Sequence, residues 1–60
     1  MTEKQKFIEE VAMILKEARF ARKGDYRTYE NFKQRIEELN IPSYEVYARA
    51  IRVLAKTLKI

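Results

Sequence analysis

Sixty residues carrying a formal net charge of +4, with 47% apolar and 37% charged side chains and neither Cys nor His, describe one folded domain at most. A chain of this length buries only about 60% of the surface it exposes when unfolded, so its stability is small. Without Cys or His, the usual zinc sites, thiol nucleophiles and imidazole general bases are excluded, and no disulfide or such metal site can supplement the core.

The first helix is expected over residues 3–23. Thr2 is a suitable N-cap, with Gln5 three residues on as in a capping box, and Gly24 stands where a helix would close. Phe7, Val11, Ile14, Leu15 and Ala18, with Ile8 beside them, recur at steps of three and four and form one apolar stripe. Arg19, Arg22 and Lys23 fall in the last turn, where positive charge complements the helix dipole. Met13 and Phe20, seven residues apart, lie roughly opposite the stripe and are expected to face solvent.

A second helix is expected over residues 26–40, starting near Asp25 or Thr28, with Tyr29, Phe32, Ile36 and Leu39 on its buried face. Asn40 tolerates the left-handed conformation that closes a helix, and Pro42 cannot continue one. The third helix, expected over residues 43–59, is capped by Ser43. Its core face carries Tyr47, Ala50, Ile51, Leu54 and Leu58, widened by Val46 and Val53. Three amphipathic helices on short turns cannot bury their stripes alone. The expected fold is therefore all-α, a small three-helix bundle or orthogonal trihelical domain spanning residues 1–60.

Charge is distributed unevenly. Residues 46–60 carry Arg49, Arg52, Lys56 and Lys59 with no acidic residue, while residues 28–45 sum to −2. The spacings of three, four and three place these four cations on one face of a continuous helix, opposite the apolar stripe. They are candidate nucleic-acid-binding residues, since each neutralised phosphate releases counterions and four contacts would give a salt slope of about −3.6.

Residues 36–52, Ile-Glu-Glu-Leu-Asn-Ile-Pro-Ser-Tyr-Glu-Val-Tyr-Ala-Arg-Ala-Ile-Arg, resemble the second half of a helix-turn-helix. Asn40 stands where that motif usually has Gly, and Val46 and Ile51 occupy buried positions of the second helix. The resemblance implies that the third helix approaches the DNA major groove. The sequence departs from the pattern at Ile36, where a small residue is usual, and at Pro42 in the turn. Its basic residues also begin late in the helix, which implies backbone contact rather than base reading.

Tyr26, Tyr29, Tyr44 and Tyr47 are assigned to packing, Tyr29 and Tyr47 on the core stripes and Tyr26 and Tyr44 at helix starts. Adjacent helical residues point about 100° apart, so neither Glu9–Glu10 nor Glu37–Glu38 converges on a cation, and no metal site is expected. Ser43 has no activating neighbour and is read as a cap. One glycine leaves no phosphate loop.

The expectation is a non-enzymatic protein with no cofactor and no small-molecule substrate. It would bind nucleic acid through helix 3 as a small DNA-binding or regulatory protein. The alternative is an adaptor or inhibitor that meets a protein partner, or a second copy in a homodimer, through Met13 and Phe20. No apolar run approaches a membrane span and the N-terminal residues have no signal-peptide character, so no membrane contact and a cytoplasmic setting are expected.

Overall fold

In the computed structural model, which describes residues 2–60, the chain forms α1 (Glu3–Ala18), α2 (Tyr26–Glu37) and α3 (Tyr44–Thr57). Each helix packs on the other two. The caps follow the sequence. Thr2 Oγ1 accepts from the Gln5 amide at 3.1 Å, an Asp25 carboxylate oxygen from the Arg27 amide at 2.9 Å, and Ser43 Oγ from the Val46 amide at 3.3 Å. Each satisfies an amide that has no partner within its own helix. Of the two proposed starts for α2, Asp25 is the one used.

The apolar stripes meet in a core of Phe7, Val11, Ile14, Ala18, Ile36, Ala50, Leu54 and Leu58, with Leu15, Tyr29, Phe32, Leu39, Val46, Tyr47 and Ile51 packed partly against it. Phe7, Ile36, Leu54 and Leu58 are the largest side chains fully withdrawn from solvent. Among the described residues no polar side chain is buried, so the core is held by apolar burial and close packing.

The helix ends differ from the sequence reading, and the hydrogen bonds that close them show how. Residues 19–23 were expected to extend α1, yet the helix stops at Ala18 and turns through Phe20 N–H to Glu17 C=O and Ala21 N–H to Ala18 C=O, each 3.1 Å. The Lys23 ammonium folds back to donate to the carbonyls of Ala18, Arg19 and Ala21. These bonds satisfy acceptors that a helix end leaves open, and they put positive charge at the negative end of the dipole. Gly24 does not close α1. At φ +74° it ends the irregular connection, and its amide donates to the Leu58 carbonyl at 2.7 Å. That bond ties the α1–α2 link to the end of α3.

Asn40 is not left-handed. α2 ends at Glu37, its C-cap Glu38 stays right-handed at φ −80°, and Leu39 N–H closes a tight turn on Ile36 C=O at 3.1 Å. The left-handed residue is instead Lys59, at φ +57°. Lys59 N–H bonds Lys56 C=O at 3.2 Å and Ile60 N–H bonds Ala55 C=O at 2.9 Å, the pair of bonds that defines a Schellman closure. Helix α3 therefore ends two residues before the expected boundary.

Two polar contacts cross between helices. Arg35 on α2 forms a two-pronged pair with Glu17 on α1, at 2.8 and 3.2 Å, and its guanidinium lies 5.5 Å from the centre of the Phe32 ring. Tyr47 on α3 donates its hydroxyl to Glu37 on α2.

Candidate functional site

Arg49, Arg52 and Lys56 are exposed on α3, on the side away from buried Ala50 and Leu54. At 100° per residue they span only about 60° of the helix circumference and form one continuous basic edge. The ion pair among the described residues is Arg35–Glu17, so none of the three is neutralised by a carboxylate. Lys4, Lys6, Lys16, Arg19, Arg22 and Arg27 are likewise exposed and outside any ion pair among the described residues, whereas three cations are engaged locally. Lys23 serves the α1 carbonyls, Arg35 serves Glu17, and Lys33 lies 5.9 Å from the centre of the Tyr29 ring.

Lys59, placed on the same ridge by its spacing, lies outside the helical register that carries the other three. The spacing argument assumes helix through residue 59, and the chain leaves α3 at Leu58 through the left-handed turn. The candidate phosphate edge therefore holds three cations in helical register rather than four. Its first turn bears exposed Tyr44 and Glu45, so positive charge begins only at the second turn of α3.

Met13 and Phe20 are 69% and 87% exposed. They do not share a helix face as their spacing suggested, because Met13 lies within α1 and Phe20 lies one residue beyond its C-cap, Arg19. Tyr26 and Tyr44 were expected to pack. Both are largely exposed, and each tilts against the tyrosine three residues on, with ring centres 5.6 Å apart for Tyr26–Tyr29 and 6.2 Å for Tyr44–Tyr47.

The electrostatics of the crossing contacts follow their partners. The hydrogen bond from Arg35, reinforced by its charge, holds the Glu17 carboxyl below its ordinary value. The hydrogen bond to Glu37, with burial and the carboxylate charge adding to it, pushes the Tyr47 hydroxyl up to about 12. Both are contacts between helices, and among the described residues neither gathers a cluster that could hold a metal ion.

One feature of the surface escaped the sequence reading. α1 and α3 leave an apolar groove between them with a volume of about 410 Å³, floored by Phe7, Val11 and Ala50. Ile8 and Val53, assigned above to the core stripes, are 49% and 48% exposed and stand as its walls. Their spacing is that of core residues, so periodicity alone does not separate them from the buried set.

No protein-family model, curated protein sequence or solved structure matches the chain.

Proposed function

We propose that the chain is a small non-enzymatic binding protein that engages the sugar-phosphate backbone of a nucleic acid through Arg49, Arg52 and Lys56. The observation that carries this reading is the basic edge itself: three exposed cations in helical register, none paired with a carboxylate among the described residues. An array of this kind gains affinity by releasing counterions, and three contacts give a salt slope of about −2.7. The late start of the charge along α3 favours backbone contact over base reading, so affinity varies little with sequence. The helix-turn-helix resemblance supplies the approach, with α3 against the duplex and α2 crossing above it.

The test is fluorescence anisotropy on a labelled DNA duplex. Between 50 and 200 mM salt the affinity should fall roughly forty-fold for three phosphate contacts. Reversing Arg49, Arg52 and Lys56 to Glu should abolish binding. Affinity indifferent to salt, or unchanged in the triple variant, would refute the assignment.

A second reading rests on the exposure of Met13 and Phe20. Two large apolar side chains in water on a domain of small stability favour a protein contact, with a second copy in a homodimer as its simplest form. Sedimentation equilibrium checks it. A Met13→Glu, Phe20→Glu variant should dissociate a dimer, and a monomeric parent chain would dispose of the homodimer.

A further inference from the structure

The groove between α1 and α3 shares Arg49 with the phosphate edge, but its apolar walls have no part in that reading, and we propose that it is a docking site for an acidic amphipathic helix of a partner protein. No residue of α2 contributes to its lining, so it opens on the side of the α1/α3 pair away from α2. That is the position a fourth helix would fill in a bundle. Lys4 to Leu15 on one bank and Glu45 to Val53 on the other extend about 16 and 12 Å at the helical rise. A helix presenting apolar residues at i, i+3 or i+4, and i+7 spans about 10 Å between its outer anchors, which matches this length.

The backbone of the banks decides the conformation of the occupant. Both are helices whose amides and carbonyls are already paired along their length, so the groove offers no edge to an extended strand. A bound strand would leave amides unpaired against an apolar surface, whereas a helix satisfies its own.

The charge at the rim decides the sign. Glu45 is the single acidic lining residue, against Lys4 and Arg49. Helical register extends this positive frame. Lys56, two turns beyond Arg49, continues the α3 bank past Val53; on the α1 bank Lys16, one turn beyond Ala12, is offset by Glu9, one turn before it, and all three are exposed. Apolar walls beneath a rim of net positive charge suit a helix with an apolar stripe flanked by Glu and Asp. A second copy of this chain is disfavoured there, because it would bring +4 against +4.

The experiment uses two labelled synthetic peptides of about 14 residues, roughly four turns. One carries Leu at i, i+3, i+4 and i+7 with flanking Glu, and its twin has every Glu replaced by Lys. Anisotropy should show the acidic peptide binding at least ten-fold more tightly than the basic one. Ala12 is exposed and lines the groove, so Ala12→Tyr fills the site without disturbing the core. It should weaken the acidic peptide at least ten-fold while leaving duplex affinity unchanged, which separates this proposal from the phosphate reading. Circular dichroism establishes that the variant is folded. An Ile8→Thr, Val53→Thr variant, which keeps the β-branch at both walls and removes apolar surface, gives the same answer by a second route. Equal affinity for the two peptides, binding unaffected by these changes, or a dimer of the parent chain that Ala12→Tyr dissociates would each overturn the proposal.

Discussion

Replacing Lys59 with glycine separates a structural role for that residue from a phosphate contact. Lys59 sits in the left-handed region at φ +57°, which costs an L-residue about 1–2 kcal/mol. Glycine adopts this conformation freely, but its greater freedom in the unfolded chain returns about 0.5–1 kcal/mol of that gain. The net expectation is a stabilisation of about 0.5–1 kcal/mol. For a domain of this size that raises Tm by roughly 2–8 °C. Gly24→Ala is the converse control. Gly24 has φ +74° and open space where a Cβ would stand, so its cost is conformational alone, about 1 kcal/mol in the opposite direction. Thermal melts by circular dichroism read both effects. The same Lys59→Gly protein should keep the salt slope of duplex binding at about −2.7, since the residue lies outside the helical edge. A melt shifted downward, or a slope reduced by about 0.9, would show that Lys59 contributes as a contact rather than as a strained closure.

Ile36→Ala removes a fully buried side chain from the centre of the core and should cost about 3–4 kcal/mol, most of the stability of a domain this small; urea denaturation checks it. At alkaline pH, the raised Tyr47 hydroxyl gives stability that is fully present below the ordinary tyrosine value and lost as pH rises through about 12. Tyr47→Phe should remove that dependence in melts recorded across the alkaline range. At acid pH the sign reverses. Glu17, held low by Arg35, contributes above its ordinary carboxyl value and loses that contribution as pH falls through its lowered one. The effect is small and screened by salt because both side chains are about half exposed, and Arg35→Gln should return the Glu17 titration, followed by carbon NMR, to the ordinary range.

What was legible in the sequence is what local chemistry decides. Thr2, Asp25 and Ser43 cap the helices because a short oxygen-bearing side chain can reach a free amide wherever the chain enters a helix. Phe7, Val11, Ile14, Ile36 and Leu54 lie in the core because their spacing aligns them on one face of each helix. The helix ends were not legible, since alternative local closures lie within a few residues of one another and, past α1, a partner distant in the chain takes part. Residues 19–23 have good helix propensity and still turn, in a link that the Gly24 amide ties to the Leu58 carbonyl. Nothing near Lys59 marks it as left-handed, while Asn40, which does carry such a mark, has no need of that conformation.

The candidate surfaces divide the same way. Arg49, Arg52 and Lys56 were found by register, which holds inside α3 and fails at Lys59 one residue beyond its C-cap. The α1–α3 groove was missed because Ile8 and Val53 satisfy the periodicity of a core stripe. Only the arrangement of three helices shows that nothing covers them, and a pattern cannot distinguish a side chain buried by this chain from one left for another.

The central claim is that the polyanion contact runs along one edge of α3, and amide NMR of the labelled protein titrated with a DNA duplex tests it most directly. The account predicts shift changes concentrated at Arg49, Arg52 and Lys56 and fading with added salt, with Lys59 and the outer face of α2 little affected. Changes centred instead on residues 19–27, or spread evenly over the +4 surface, would contradict it.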